Sequence, residues 1–459
     1  MQKNHDILYT LNDKPPFFES VTAAFQHVLA SFVGIVTPTL IIGSTLGLTS
    51  QIPYLISMAL IVSGIATFIQ AKQFGRIGCG LIAVQGTSFA FITALITGGF
   101  IVKSRGGSSD DILAMMFGVT LVGSFIEIFI SFFIDKIKKI ITPLTTGIVI
   151  TTIGLSLIKV GMTDLAGGFG SESFGSIQNL LLGGTVLVII ITLNASKNAW
   201  LRLSSIFIGI FVGALIAYPL GLLSFNHLSQ LPVISIPLPF KYGLAFDWQI
   251  FLPVALVYLL TAVETAGDLT ANSLYCGLPI KGKRYIERIK GGILADGINS
   301  LIAGVFNTFP NTTFGQNNAV IQLTGVASRY VAFFIAGILI LLGLFPILGG
   351  ILQAMPKPVL GGATLIMFAT IAVAGIKIMS FEPINRRNSL IIATSFGMGL
   401  GAMLVPEALA QLPLWLKNIL SSPVTTAGFT AITLTLLLPK NTIELNENAF
   451  DTNISSDKN

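Results

Sequence analysis

Charge is scarce in this chain. Lys, Arg, Asp and Glu make up 10% of its 459 residues, against about 25% in a soluble domain, so water is excluded as its main solvent. Cysteine occurs twice, at Cys79 and Cys276, and two widely separated thiols make no disulfide framework. The three histidines, His5, His27 and His227, are too scattered for a metal cluster. With no metal-ligand spacing, phosphate-cradling loop or nucleophile elbow, neither a cofactor nor enzyme chemistry is expected. The first sixteen residues, through Pro16, lack the apolar run of a signal peptide. The chain is therefore expected to enter the membrane through its first span, with nothing cleaved. The formal charge of +6 is spread between apolar segments rather than gathered on one surface, which argues against nucleic acid as a partner.

What is abundant is apolar. Hydrophobic residues make up 53% of the chain, with 33 Phe and 47 Gly. Glycine at that level suits close helix contacts and broken helices in lipid. A spanning helix needs about 20 mostly apolar residues, and fourteen candidates begin near Phe18, Pro53, Gly78, Ile112, Ile141, Ile177, Leu203, Trp248, Gly291, Phe309, Tyr330, Pro358, Asn388 and Pro423. The third and tenth are poor helices, interrupted by Gly, Thr, Asn and Gln.

Charge placement tests that count. With the N-terminus inside, 20 of the 26 Lys and Arg fall on the cytoplasmic side, and only Lys103, Arg105, Lys159, Lys241, Lys357 and Lys417 fall opposite. This is the positive-inside asymmetry, and it is expected to place both termini in the cytoplasm. The cluster from Lys281 to Lys290 reads as a topogenic loop rather than a lipid or nucleotide site.

A weak repeat accompanies the spans. Pro143-Leu-Thr-Thr-Gly147 opens the fifth and Pro358-Val-Leu-Gly-Gly362 the twelfth. Gln85-Gly-Thr-Ser-Phe89 in the third has a polar counterpart in the tenth, expected around Gln316. Seven being odd, the halves would be inverted relative to one another. Inverted repeats with a matched pair of interrupted segments point to a transporter site at the midplane.

Buried charge needs a reason, since one acid at a helix centre costs roughly 2.5–3.5 kcal/mol on insertion scales. Glu264 and Asp268, four apart in the eighth span, share one helix face. Two such carboxylates repel, and holding a proton between them relieves the repulsion. That is what a proton-linked carrier requires; capping or bridging helices is the plainer alternative. Asp296 in the ninth span serves either function or the backbone of the broken segments. For Glu127 and His27 an interhelical hydrogen bond is the plainer reading. The tenth span runs Asn307-Thr-Phe-Pro-Asn-Thr-Thr-Phe-Gly-Gln316-Asn317-Asn318. Irregular backbone of this kind survives at membrane depth only where protein buries it or it lines a cavity. Its amides offer donors and acceptors together, suited to a flat neutral heterocycle.

These residues resemble the nucleobase–ascorbate transporter family over nearly the whole chain. The family signature, Gln/Glu-Asn-x-Gly followed by four residues and Thr, reads here Gln316-Asn317-Asn318-Ala319, then Thr324. The run from Phe314 to Val331, with Gln85–Phe89, Glu264–Asp268 and Asp296, is similar to the bacterial xanthine permease branch. The resemblance implies an all-α membrane fold of fourteen spans in two inverted seven-span repeats, with short extended stretches in spans 3 and 10. It implies a core of spans 1–4 and 8–11 and a gate of spans 5–7 and 12–14, within residues 18–439, flanked by cytoplasmic tails at 1–17 and 440–459. It further implies Glu264 as the main substrate carboxylate, Gln316 as the second side-chain ligand and Phe89 beside the base. Asp296 and His27 would support the site, Asp268 would join Glu264 in proton coupling, and Asn317 would tune affinity. Ala319 departs from the usual Gly of the motif. Ala90, polar in some relatives, opens space that keeps uric acid beside xanthine as a substrate. Protons, membrane lipid and a homodimer are the other implied partners. A uracil permease and an anion carrier on the same architecture are the competing readings. Asp268 and Gln316, where the uracil branch has His and Glu, favour a purine, and the acids disfavour an anion.

Overall fold

In the computed structural model, residues 7–137, 142–168, 170–223, 225 and 228–439 are described. The tail residues 1–6 and 440–459 lie outside that range, as do Lys138, Lys139 and His227. Apolar runs that cannot bond their backbone to lipid close it internally as helices. The chain opens with α1 (Phe17–Leu46), α2 (Ile52–Lys72), β1 (Gln85–Thr87), α3 (Ile92–Ser104) and α4 (Ser109–Phe132). Next come α5 (Ile134–Ile137), α6 (Pro143–Leu165), α7 (Ile177–Asn194), α8 (Ala199–Leu203) and α9 (Ser205–Ala217). The second half follows the same plan, with α10 (Trp248–Tyr275), α11 (Lys283–Val305), β2 (Asn311–Thr313), α12 (Asn317–Thr324) and α13 (Arg329–Gly343). It closes with α14 (Pro346–Ala354), α15 (Lys357–Met379), α16 (Arg386–Leu404), α17 (Leu414–Leu420) and α18 (Pro423–Leu437).

Among the described residues, seven of these helices are long and apolar enough to cross a bilayer, namely α1, α2, α4, α6, α7, α10 and α15. The pair α13–α14, bent by 73°, makes an eighth. The molecule is a mostly helical, multi-pass membrane protein. Each of the fourteen segments marked on the sequence coincides with a helix, or with a strand and the short helix behind it.

The two interrupted segments meet. β1 and β2 pair antiparallel, Gln85 opposite Thr313, Gly86 opposite Thr312 and Thr87 opposite Asn311. Ser88 N–H donates to Pro310 O and Phe314 N–H to Val84 O, both at 2.8 Å. Backbone that would be unpaired in each segment alone is thus satisfied by the other. The polar stretch that pairs with Gln85–Thr87 is Asn311–Thr313, just ahead of Gln316. Gln316 comes after the strand, at the N-cap of α12.

Helices α6 and α15 pack on one another through glycine. A Cβ on Gly154 would lie 2.3 Å from Ala372 N, and one on Gly375 would lie 2.4 Å from Thr151 N. Only glycine permits backbones to cross that closely. On the other side, Gly297 of α11 sits against Ile128 N of α4, where a Cβ would approach to 2.8 Å. Ahead of α1, the chain runs beside the link that follows α12, with Leu8 N–H on Gly325 O and Ala327 N–H on Tyr9 O, each 2.9 Å.

Candidate binding site

The site is built on α10. Asp247 caps its start, accepting Gln249 N–H at 2.7 Å and pairing with Arg105 at 2.7 Å. The Arg105 hydrogen bond holds that carboxyl below its ordinary range. Four turns on, Glu264 and Asp268 sit one turn apart on the same face. Both line a cavity of about 290 Å³, the size of a site for a small ligand. Glu264 Oε2 is buried and has no hydrogen-bond partner among the described residues. Such an acceptor calls for a donor.

The facing wall comes from the second interrupted segment. Thr312, Thr313, Phe314, Gly315, Gln316, Asn318 and Ala319 all line the cavity. Gly315 leaves no room for a side chain, since a Cβ there would lie 2.3 Å from Asp268 Oδ1. From the first segment comes Phe89, its ring 6.4 Å from that of Phe314 at an interplanar angle of 24°. Met367 of α15 and Ile150 and Ile153 of α6 close the apolar side. Lys377 and Tyr275 lie on the same lining, 3.3 Å apart.

Buried polar groups hold these walls. Asp296 accepts from Gln70 Nε2 at 2.7 Å and from the Thr265 hydroxyl at 2.5 Å, and from Thr313 N–H at 3.2 Å. One carboxylate thereby ties α2, α10 and α11 to β2. Gln70 also accepts Cys79 N–H at 3.0 Å, fixing the approach to β1. Asn272 of α10 donates to Ile82 O at 2.9 Å and to Asn318 Oδ1 at 2.8 Å.

Of the residues singled out in the sequence, Glu264, Asp268, Gln316 and Phe89 come together on the cavity. Asn317 does not. Its amide turns to α1, bonding His27 Nδ1 and His27 O at 3.1 Å each. Ala90 is 2% exposed and lies off the lining. Asp296 and His27 stand behind the walls rather than on them. Sequence reading left Phe314, Gln70, Thr265 and Asn272 without a role, and gave Asn318 only the general one shared by the amides of its segment. A polar side chain within an apolar run was the available signal for Gln70 and Asn272.

Residues 18–408 match the model of the permease family, the nucleobase–ascorbate transporters. The chain belongs to that family. The permease is 48% identical to the xanthine permease XanP of Escherichia coli (strain K12) over 442 residues, covering 95% of this chain and 96% of that protein. It is 44% identical to xanthine permease XanQ of the same strain, over 95% and 94% of the two chains. The uric acid permease PucJ of Bacillus subtilis (strain 168) is 35% identical, over 91% and 92%. Among solved structures, the permease shares its fold with the murine Solute Carrier 26 family member A9 anion transporter in the inward-facing state. That match has a TM-score of 0.58 at 12% identity and covers 93% of this chain and 69% of the other. The transmembrane domain of the cyanobacterial bicarbonate transporter BicA matches with a TM-score of 0.52 at 16% identity, over 90% and 99%.

Proposed function

We propose that this permease is a secondary active transporter that imports a purine base, xanthine foremost and uric acid beside it, together with protons. The observation that carries this reading is Glu264 and Gln316 on one small cavity, with Glu264 Oε2 lacking a partner among the described residues. A purine dione is flat and edged with alternating N–H and C=O groups. Glu264 accepts an N–H, the Gln316 amide reads a neighbouring donor–acceptor pair, and Phe89 and Phe314 flank the ring. The relatives named as xanthine and uric acid permeases support the substrate class. Asn317 acts on affinity at one remove, through its bonds to His27 of α1, and Ala90 by the space behind Phe89.

The same reading takes the fold as fourteen spans in two inverted repeats. Spans 1–4 and 8–11 form the core and spans 5–7 and 12–14 the gate. Both termini lie in the cytoplasm, and the membrane is the bacterial inner membrane. The cavity lies where those two groups of helices face one another. A homodimer and an absence of catalysis belong to the same proposal. The fold's likeness to anion carriers favours an anion as a second reading, but two carboxylates on the wall oppose it. Uptake of labelled xanthine in cells lacking their own purine permeases, competed by a panel of bases, tests the assignment. Xanthine and urate should compete and uracil should not; equal inhibition by uracil would overturn the purine reading.

A further inference from the structure

We propose that Glu127 is a second proton-holding carboxyl of this permease, set apart from the base cavity and communicating with it through Asp296. The inference rests on the proton-coupled reading above and extends it to a residue that the cavity does not use. Glu127 lies in α4 and is 1% exposed, and neither carboxyl oxygen has a hydrogen-bond partner among the described residues. A buried polar group left in this way demands an explanation, and an intramembrane acid is a functional candidate once its partner is named.

Its surroundings name the partner. The buried polar face of α4 carries Thr120, Ser124, Glu127 and Ser131. It packs on α11 where Gly297 admits the α4 backbone, and on α10 where the Tyr258 ring fills the space beside Gly123. Gly297, next to Asp296, lies against Ile128, next to Glu127, and against Ser124 O, with a Cβ there 2.7 to 3.1 Å from those atoms, so the two acids sit on the helix surfaces that meet at this close approach. Lys103 of α3 is at the opposite end of α4, and Lys136 of α5 turns over the Phe133 ring. No cation among the described residues neutralises Glu127.

On the α10 face beside it, Thr261 donates its hydroxyl to Tyr258 O at 3.2 Å. One turn on, Thr265 donates to Asp296, and Asp296 accepts from Thr313 on the cavity wall. The two acids are unequally equipped. Asp296 is surrounded by donors that stabilise its anion, whereas neither Glu127 oxygen has a hydrogen-bond partner among the described residues. With one proton shared between the two acids, holding it on Glu127 leaves the charge on Asp296, where three side chains and a backbone N–H receive it. Net charge is conserved in the step. Any motion that loosens Thr313 from Asp296 sends the proton back toward the cavity.

The experiment uses the full-length permease in proteoliposomes, reading xanthine uptake and co-transported protons across a pH series. Glu127→Gln should keep its membrane abundance and KM. Its pH dependence should shift by about one pH unit or more, with fewer protons moved per base. Glu127→Asp, which keeps the acid on a shorter arm, should retain proton movement and so separates titration from packing. If Glu127→Gln and Glu127→Asp both match the parent in pH profile and protons per base, or lose them equally, the proposal is overturned. A parent that moves no protons at all overturns the coupling reading, and Glu127's part falls with it. A parent that moves them while Glu127→Gln does so unchanged sinks Glu127 alone.

Discussion

Asp296 grips Thr313, its carboxylate accepting that residue's backbone N–H at 3.2 Å and its hydroxyl at 3.3 Å. Since Gln70 and Thr265 donate to the same carboxyl, the cavity's facing wall hangs on one acid. Asp296→Leu leaves several buried donors unpaired, at about 1–3 kcal/mol each. It should lower the detergent Tm and abolish uptake. Asp296→Asn keeps an acceptor and should stay near the parental Tm while losing at least about tenfold in uptake rate, as expected when a buried charge-assisted network is broken. Thermal unfolding measured beside uptake per mole of protein checks both, and an unchanged Tm in Asp296→Leu would contradict the role.

Gly86 makes room for Phe314. A Cβ at Gly86 would lie 2.4 to 2.8 Å from three atoms of that ring. Gly86→Ala should displace the ring from its place beside Phe89 and raise the xanthine KM by about tenfold, the cost of a misplaced positioning group. Adding Phe314→Leu should recover part of the loss, a non-additivity expected of residues in contact. Strictly additive effects on KM would show that the two do not share the space.

Gln316 is held from behind by α1. A Cβ on Gly34 would come within 2.8 Å of Gln316 Nε2. Gly34→Ala should therefore act like a change at Gln316 itself, altering which bases compete while abundance stays normal. Gln316→Glu removes an amide donor and adds charge near Glu264, and should change selectivity more strongly. Competition profiles identical to the parent's in both variants would place Gln316 outside the recognition surface.

How far the sequence revealed this arrangement differs from residue to residue. The breaks near Gly78 and Phe309 were visible because Gly, Pro, Thr and Asn interrupt runs that lipid would otherwise keep helical, and β1 and β2 occupy those breaks. Glu264 and Asp268 were visible because four residues of separation fixes a common face whatever the helix start. Asn317 and Asn318 were not distinguishable in that way. Each residue turns a helix by about 100°, so assigning one amide to the cavity and its neighbour to His27 needs the phase of α12, which the pairing of β2 with β1 sets. Gln70 and Thr265 were hidden for a related reason. Their partner, Asp296, is brought to them by tertiary packing of α2, α10 and α11.

The central claim is that Glu264 couples a purine base to a proton. Its direct test is xanthine accumulation in energised vesicles with an imposed pH gradient, with and without sodium, for the parent and Glu264→Gln. The parent should accumulate xanthine without sodium and lose accumulation when a protonophore is added, Asp268→Asn should still bind but exchange poorly, and Glu264→Gln should not accumulate at all. Accumulation that survives the protonophore and vanishes on sodium removal, or that persists in Glu264→Gln, would contradict the account.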